Sequence, residues 1–138
     1  MKSIISFAMF AGVAFAQRAQ IGLPTAGQQL TKGNDVIVQV QRPNSLTGST
    51  ELVVAIGISS CGSEPCKPAD EVMGTILYNG DFKPEYHESS QPPYQNVTVN
   101  IPSSFTEGNA QVNVAHATLM GAGPYPYLEI LNQTVVVV

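Results

Sequence analysis

Two cysteines, the only ones in the chain, lie in one short polar stretch, GISSCGSEPCKPAD, at residues 57–70. Three kinds of chemistry use such a pair: a redox centre, a metal site and a structural disulfide. Redox motifs have the spacing C-x-x-C, whereas four residues separate Cys61 from Cys66. A structural zinc ion usually needs four ligands, and the sequence has no second Cys or His pair at ligand spacing. The spacing therefore favours a disulfide, provided that the chain folds in an oxidising compartment.

The first sixteen residues, MKSIISFAMFAGVAFA, indicate that compartment. A positive Lys2, an apolar run and an A-x-A pattern at residues 14–16 are typical of a cleaved signal peptide. The run is shorter than the roughly 20 apolar residues of a membrane span. We predict a signal peptide at 1–16, a secreted mature chain that begins at Gln17, and a Cys61–Cys66 disulfide. That disulfide pins a loop and stabilises the fold by about 2 kcal/mol. Because residue 17 is not histidine, the sequence excludes the N-terminal histidine brace with which secreted fungal copper oxygenases hold their metal.

The two histidines give little evidence of catalysis. His116 lies on a predicted strand in phase with Val112 and Val114, which favours a hydrogen-bonded histidine partly inside the core. His87 has Glu85 and Glu88 beside it and could weakly hold a divalent ion, but a solvated acidic loop is favoured. The sequence contains neither G-x-S-x-G nor H-E-x-x-H. We therefore predict no catalytic residue, no metal and no cofactor, and a protein that is not an enzyme.

The charge balance excludes several classes of partner. Without Lys2, five Lys and Arg residues of the original six stand against ten Asp and Glu. Nothing forms a basic patch, so nucleic acid and anionic membranes are poor partners. The terminal VVVV is too short for a membrane span or a GPI signal. We expect one free extracellular domain at 17–138, with N-glycosylation sequons at Asn96 and Asn132.

Short β-branched runs punctuated by ten prolines and twelve glycines predict an all-β protein. The expected architecture is an immunoglobulin- or fibronectin-like β-sandwich of about seven strands. QIGLP reads as an edge strand ended by proline, TAGQQLTKGN as a turn, and TELVVAIGIS as a central strand. The other predicted strands are DVIVQVQ, VMGTILYN closed by residues 79–81, QNVTVNI, NAQVNVAHATLM and YLEILNQTVVVV.

For two of these strands we considered which side chains face the core. In QNVTVNI the residues Val97, Val99 and Ile101 face one way and Asn96 faces water, as a glycan requires. In the last strand neither Leu128 with Ile130 nor Leu131 with Val135 gives a consistent inner face, and a bulge near Asn132 is one way to reconcile them.

The loop GAGPYPY, residues 121–127, is expected to connect the last two strands as a hairpin. It lacks the lysine and the following helix of a phosphate-binding loop. The simpler interpretation is a loop stiffened by Pro124 and Pro126. The functional interpretation is a rigid surface loop that presents Tyr125 and Tyr127, with the stretch LYNGDFKPEYH nearby, as the partner-binding face.

Strand order, turn positions and length together resemble a known family. The stretches concerned are IGLPTAGQQLTKGNDVIVQV, ELVVAIGIS, MGTILYNGDFKPEYH and the Asn-Val-Thr strand followed by IPSSFTEGNAQVNVAHATLMGAGPYPYLEILNQTVVV. Along nearly the whole mature chain, this pattern is similar to that of the fungal necrosis-inducing secreted proteins, a group of small secreted effectors. The insert with Cys61 and Cys66 departs from that pattern.

The resemblance implies suppression of plant pattern-triggered immunity through binding of host receptor-associated kinases, sometimes with cell death. It supplies no binding motif for particular residues. Two other classes stay open from the residues alone. One is a wall-associated glycan-binding module with exposed tyrosines as stacking platforms, although the chain has no tryptophan. The other is a small secreted enzyme.

Overall fold

The computed structural model describes residues 18–44 and 48–138. The predicted signal peptide and Gln17 lie outside the described residues. The described residues form eight strands: β1 (Gln20–Leu23), β2 (Gln29–Leu30), β3 (Asp35–Gln41), β4 (Ser49–Ser60), β5 (Thr75–Asp81), β6 (Tyr94–Asn100), β7 (Gly108–Met120) and β8 (Tyr125–Val137). They make a three-stranded sheet in the order β1-β3-β6 and a five-stranded sheet in the order β2-β8-β7-β4-β5. The predicted β-sandwich is confirmed.

The first two strands of the chain lie in different sheets. β1 pairs antiparallel with β3, whereas β2 pairs parallel with β8 on the opposite layer. Pro24 follows β1 directly through a cis peptide bond and has no N–H for a ladder. The sequence predicted a plain turn at TAGQQLTKGN. The structure corrects this, because Gln29 and Leu30 form β2, a strand beyond the seven that were predicted.

Apolar residues of both sheets meet in one core between the layers. Val38 and Val40 of β3 are fully buried, and Val97 and Val99 of β6 pack with them. The prediction for QNVTVNI is confirmed, since Asn96, Thr98 and Asn100 are exposed. The five-stranded sheet supplies the rest of the inner layer, which includes Val54, Ile56, Ile58, Val112, Val114, Val135 and Val137.

A bulge in β4 decides where its one acidic residue points. β4 is an interior strand, as predicted, between β7 and β5. Glu51 pairs with Thr118 and Val53 pairs with Ala117, so Leu52 is an extra residue against β7. Leu52 and Val53 are exposed, and both Glu51 and Val54 face inward. Without the bulge, the alternation of the strand would turn Glu51 to the outer face.

The bulge predicted near Asn132 is wrong. β8 runs against β7 without a register shift from Tyr125 to Val137. The inner face of β8 is the one that carries Leu131 and Val135, and Glu129 points inward on that same face. A buried carboxylate in a core position broke the apolar pattern, and no irregularity of the backbone is involved.

Two predicted boundaries are also wrong. β5 begins at Thr75 and continues through residues 79–81, which were predicted to end it. The last hairpin turns at residues 121–124 only, so Tyr125 and Tyr127 belong to β8. The prediction of a loop that presents both tyrosines therefore fails, because residues 125–127 complete the ladder with Met120, Leu119 and Thr118.

Candidate functional site

A histidine held between two carboxylates lies at one end of the sandwich core. The His116 side chain is fully buried on β7, in phase with Val112 and Val114, as the sequence predicted. Its Nδ1 lies 3.3 Å from Oε2 of Glu129 on β8. Its Nε2 contacts Oε2 of Glu51 on β4. Both ring nitrogens thus face carboxylate oxygens, an arrangement that favours the doubly protonated imidazolium.

Each carboxylate has a second partner. Arg42 donates from Nε to Glu51 Oε1 over 2.9 Å, and Ser49 Oγ donates to the same oxygen over 2.6 Å. The backbone N–H of Ala19, just before β1, donates to Glu129 Oε1 over 2.9 Å. The Arg42 side chain is only 4% exposed. The cluster therefore balances two cationic and two anionic groups inside the protein, as buried charges require.

The contacts within the cluster shift the pKa values of His116 and Glu51 in opposite directions. Burial by itself would lower the pKa of His116, but the hydrogen bonds and charges of Glu129 and Glu51 outweigh it and raise the pKa. Burial by itself would raise the pKa of Glu51, yet hydrogen bonds from His116, Ser49 and Arg42 lower it to about 2. His116 and Glu51 are therefore charged together around pH 5 to 6, between the ordinary pKa values of a carboxylate and an imidazole.

A cleft of about 390 Å³ opens beside this cluster and is lined by Arg42, Glu51, Phe82 and Lys83 among others. Phe82 is buried and lies edge-on to the His116 ring, with centroids 5.1 Å apart. Because both imidazole nitrogens are engaged and the ring is fully buried, His116 offers no nitrogen to a molecule in the cleft. The geometry thus makes His116 a group that joins β4, β7 and β8.

Tyr125 and Tyr127 lie close to this end of the molecule, on the first residues of β8. They pair with Met120 and Thr118, and they share a face of β8 with Glu129. Tyr125 is 55% exposed, whereas Tyr127 is half-buried. The structure therefore brings both tyrosines to one face of a strand, and Tyr125 is the more accessible of the two.

The predicted disulfide between Cys61 and Cys66 is present. The segment that follows it, residues 67–73, lies over the outer face of the five-stranded sheet and is called here the covering segment. Asn113 is fully buried there and donates from Nδ2 to the Met73 carbonyl over 3.2 Å, and Gln111 donates to the Lys67 carbonyl over 3.0 Å. The disulfide thus helps to hold the covering segment over polar residues of β7.

Gly57 lies beneath the covering segment. A Cβ at this position would come within 2.2 Å of the Met73 carbonyl oxygen. The absence of a side chain is what lets the segment approach the sheet so closely.

His87 packs on an aromatic ring. Its imidazole stacks on Tyr94 with centroids 4.2 Å apart, and Tyr94 donates its hydroxyl to the Glu88 carboxylate over 2.8 Å. That hydrogen bond raises the pKa of Tyr94. Within residues 18–44 and 48–138, no cluster of three or more His, Cys, Asp or Glu side chains is arranged to hold a metal ion.

Both sequons lie on strands with the asparagine exposed. Asn96 projects from β6, where its Oδ1 accepts a hydrogen bond from Gln39 over 3.2 Å, and Asn132 projects from β8. Glycosylation of the two remains a prediction. The described part of the chain also contains no helix long and apolar enough to cross a membrane.

Sequence reasoning missed the acidic and basic partners of His116. Glu51 was part of a predicted central strand, and Arg42 followed another, but neither was assigned a role. Glu129 did leave a signal, because it stands two residues before Leu131, in phase with it. A charged residue in phase with apolar ones on a strand marks a buried charge, and a buried charge requires a partner.

Three comparisons relate this chain to known proteins. Residues 14–136 match the family model described as the Nis1 family. No curated protein sequence matches the chain significantly. Among solved structures, the cellulose-active LPMO CelS2 in complex with copper is similar at 13% identity with a TM-score of 0.53; the match covers 80% of this chain and about half (52%) of that one.

Two further structures are similar at lower scores. The fibronectin(III)-like modules of Clostridium thermocellum CbhA match at 13% identity and a TM-score of 0.41, covering 87% of this chain and 94% of theirs. Murine CRIg matches at 12% identity and a TM-score of 0.44, covering 87% and 96%. At these identities the similarity concerns the fold alone.

Proposed function

Because this chain belongs to the Nis1 family, we propose that it is a secreted, effector-like protein that acts by binding another protein and catalyses no reaction. The proposed targets are host plant receptor-associated kinases, whose binding would suppress pattern-triggered immunity and in some settings induce cell death. The family match carries this proposal, since it spans residues 14–136 and so includes all of the sandwich except the last residue of β8.

Two features of the structure support a binding role. The disulfide Cys61–Cys66 fits a protein that works outside the cell, in an oxidising environment. The buried histidine is used to join strands, with both of its nitrogens engaged by carboxylates. Its role there is structural, which leaves the surface of the sandwich as the part of the molecule that acts. The proposed location is extracellular, with association to host cells through the target.

A pulldown tests the proposal. The mature protein would be immobilised and incubated with plant receptor-associated kinases, both receptor-like and cytoplasmic. A Tyr125→Ala variant examines the accessible tyrosine of β8, and Ile37→Ala is its control, since Ile37 is 44% exposed on β3 of the other sheet. We expect the wild type and Ile37→Ala to retain a kinase and Tyr125→Ala to retain less.

The outcomes are distinguishable. Recovery of no kinase by the wild type would overturn the proposed targets. Equal recovery by the wild type and Tyr125→Ala would move the binding surface away from that tyrosine and leave the targets in place. Sedimentation of the protein with insoluble chitin, glucan or cellulose would instead support a glycan-binding module.

A further inference from the structure

Among the residues that the structure describes, no strand lies beside part of the outer edge of β8. β8 is thirteen residues long, but β2 covers only its end, where Gln29 pairs with Val136 and Leu30 with Val137. Just before these pairs, Gly27 donates its N–H to the Thr134 carbonyl, and this is the first backbone hydrogen bond to that edge along β8. Before Thr134, no strand of the described residues pairs with that edge.

The hydrogen-bond pattern identifies which groups point outward. Val136 and Val138 donate to β2 and its flanking residues, and the Thr134 carbonyl accepts from Gly27, so the even-numbered residues of β8 direct their N–H and C=O groups away from β7. By the same alternation, Leu128, Ile130 and Asn132 present theirs at the open edge. Nothing in residues 18–44 and 48–138 hydrogen-bonds to those groups.

Both ends of this open edge are limited. Pro126 is also an even-numbered residue, so its backbone nitrogen faces the open edge, but it has no N–H to donate. At the other end the residues that lead into β2 already occupy Thr134. Natural sheets blunt their edges with proline, charge or a covering segment, yet the polypeptide between these limits carries none of them. Its one charged residue, Glu129, is 6% exposed and faces the core. The sequon residue Asn132 projects an exposed side chain beside this stretch, so a glycan there would stand next to the edge.

The surface beside the open edge is apolar. On the outer face of the sheet, Val53, Ala117 and Leu128 form one cross-strand row, and Ala55, Ala115 and Ile130 form the next. Leu128 is 63% exposed and Val53 is 42% exposed. A strand added at the edge would place its own outer-face side chains beside Leu128 and Ile130.

We propose that the edge of β8 at Leu128, Ile130 and Asn132 is a strand-addition site for a short extended segment of a protein partner. The backbone groups of the edge would bind the main chain of the segment, and apolar residues at alternate positions would pack beside Leu128 and Ile130. The open edge is about 13 Å long at the usual rise of a strand, which accommodates about five residues. The site does not depend on which protein is the target.

A second copy of this chain fits the edge poorly. A two-fold axis at Ile130 would place Pro126 of the copy opposite Thr134, whose carbonyl already accepts the Gly27 N–H. An axis at Leu128 would place Ile130 of the copy opposite Pro126, which cannot donate, and an axis at Glu129 would place Asn132 of the copy there. An axis at Leu131 would place Leu128 of the copy opposite the occupied Thr134. A short segment avoids both conflicts.

Peptide selection followed by binding measurements tests this site. The mature protein, produced without glycosylation so that Asn132 carries no glycan beside the edge, would be panned against a phage-displayed library of random dodecapeptides. A selected peptide would be titrated by fluorescence anisotropy. Leu128→Pro removes both the leucine side chain and the N–H that points to the open edge. Leu128→Thr is its matched control, because it removes the leucine side chain and keeps the N–H. Proline at this phase does not break the ladder with β7, as Pro126 demonstrates. We expect Leu128→Pro to bind about 10-fold more weakly than Leu128→Thr, the effect of one lost main-chain hydrogen bond.

Amide exchange of the wild type provides a readout that does not depend on any variant. In the isolated protein the amides of Leu128, Ile130 and Asn132 should exchange fast and those of Glu129 and Leu131 slowly. The peptide should protect the first three. Equal binding by Leu128→Pro and Leu128→Thr, failure to select any peptide, or slow exchange of the three amides through dimerisation would each overturn the proposal.

Discussion

Neutralising Glu129 should destabilise the fold out of proportion to the chemical change. Glu129→Gln keeps the shape of the side chain and an oxygen that can accept from Ala19, but it removes the negative charge 3.3 Å from His116 Nδ1. The cluster would then hold Arg42 and His116 against Glu51 alone. A buried charge without its full compensation is the reason for the expected loss.

The size of the effect follows from the burial of the group. Removing one member of a buried ion pair costs about 3–5 kcal/mol, because the remaining charge stays desolvated. Here His116 can limit the cost by releasing its proton, so we expect the lower end, about 3 kcal/mol at pH 6. For a domain of this size that corresponds to a melting temperature lower by roughly 10 °C.

The effect should also depend on pH with a defined sign. The pKa of folded His116 is raised, so its charge contributes stability fully below its ordinary value near 6.5 and loses that contribution as the pH rises through the folded value. The pKa of Glu51 is lowered to about 2 from 4.5, so its contribution is lost as the pH falls from 4.5 towards 2. The difference between wild type and Glu129→Gln should therefore be largest near pH 5 to 6 and shrink above it.

Urea denaturation from pH 4 to pH 9, followed by circular dichroism, measures these differences. Glu71→Gln, the same change on an exposed residue outside the core, is the matched control and should lie within about 0.5 kcal/mol of the wild type. If Glu129→Gln also stays within that range at pH 6, or if its deficit grows as the pH is raised to 9, the cluster does not hold a buried imidazolium and the reasoning fails.

Three further predictions concern other parts of the molecule. Replacing both Cys61 and Cys66 by serine should lower the free energy of unfolding by about 2 kcal/mol, measured by urea denaturation against the oxidised wild type; no change would mean that the loop needs no crosslink. Gly57→Ala should cost about 1–3 kcal/mol through the clash with the Met73 carbonyl, whereas Gly123→Ala, with open space around it, should cost little; equal thermal stability of the two variants would contradict the close approach of the covering segment. Expression in a eukaryotic host followed by glycosidase digestion should shift the wild-type band by two steps and Asn96→Gln or Asn132→Gln by one; an unshifted wild type would show that neither exposed sequon is used.

The sequence alone determined the class of fold and much of its detail. Alternation of apolar and polar residues is a local property of a strand, so the phase of QNVTVNI, the interior position of TELVVAIGIS and the buried side of His116 could be read directly. The close spacing of Cys61 and Cys66 likewise left little choice of partner for either cysteine.

The tertiary structure decided what surrounds those residues. His116 meets Glu129 from 13 positions away and Glu51 from 65 positions away, and no local pattern encodes contacts at such separations. The bulge at Leu52 turns Glu51 inward, and the inward Glu129 hid the true phase of β8 from an analysis based on hydrophobicity. The open edge between Pro126 and Thr134 is also a tertiary property, because it exists only where β2, diverted to the second sheet after Pro24, stops short of covering its neighbour.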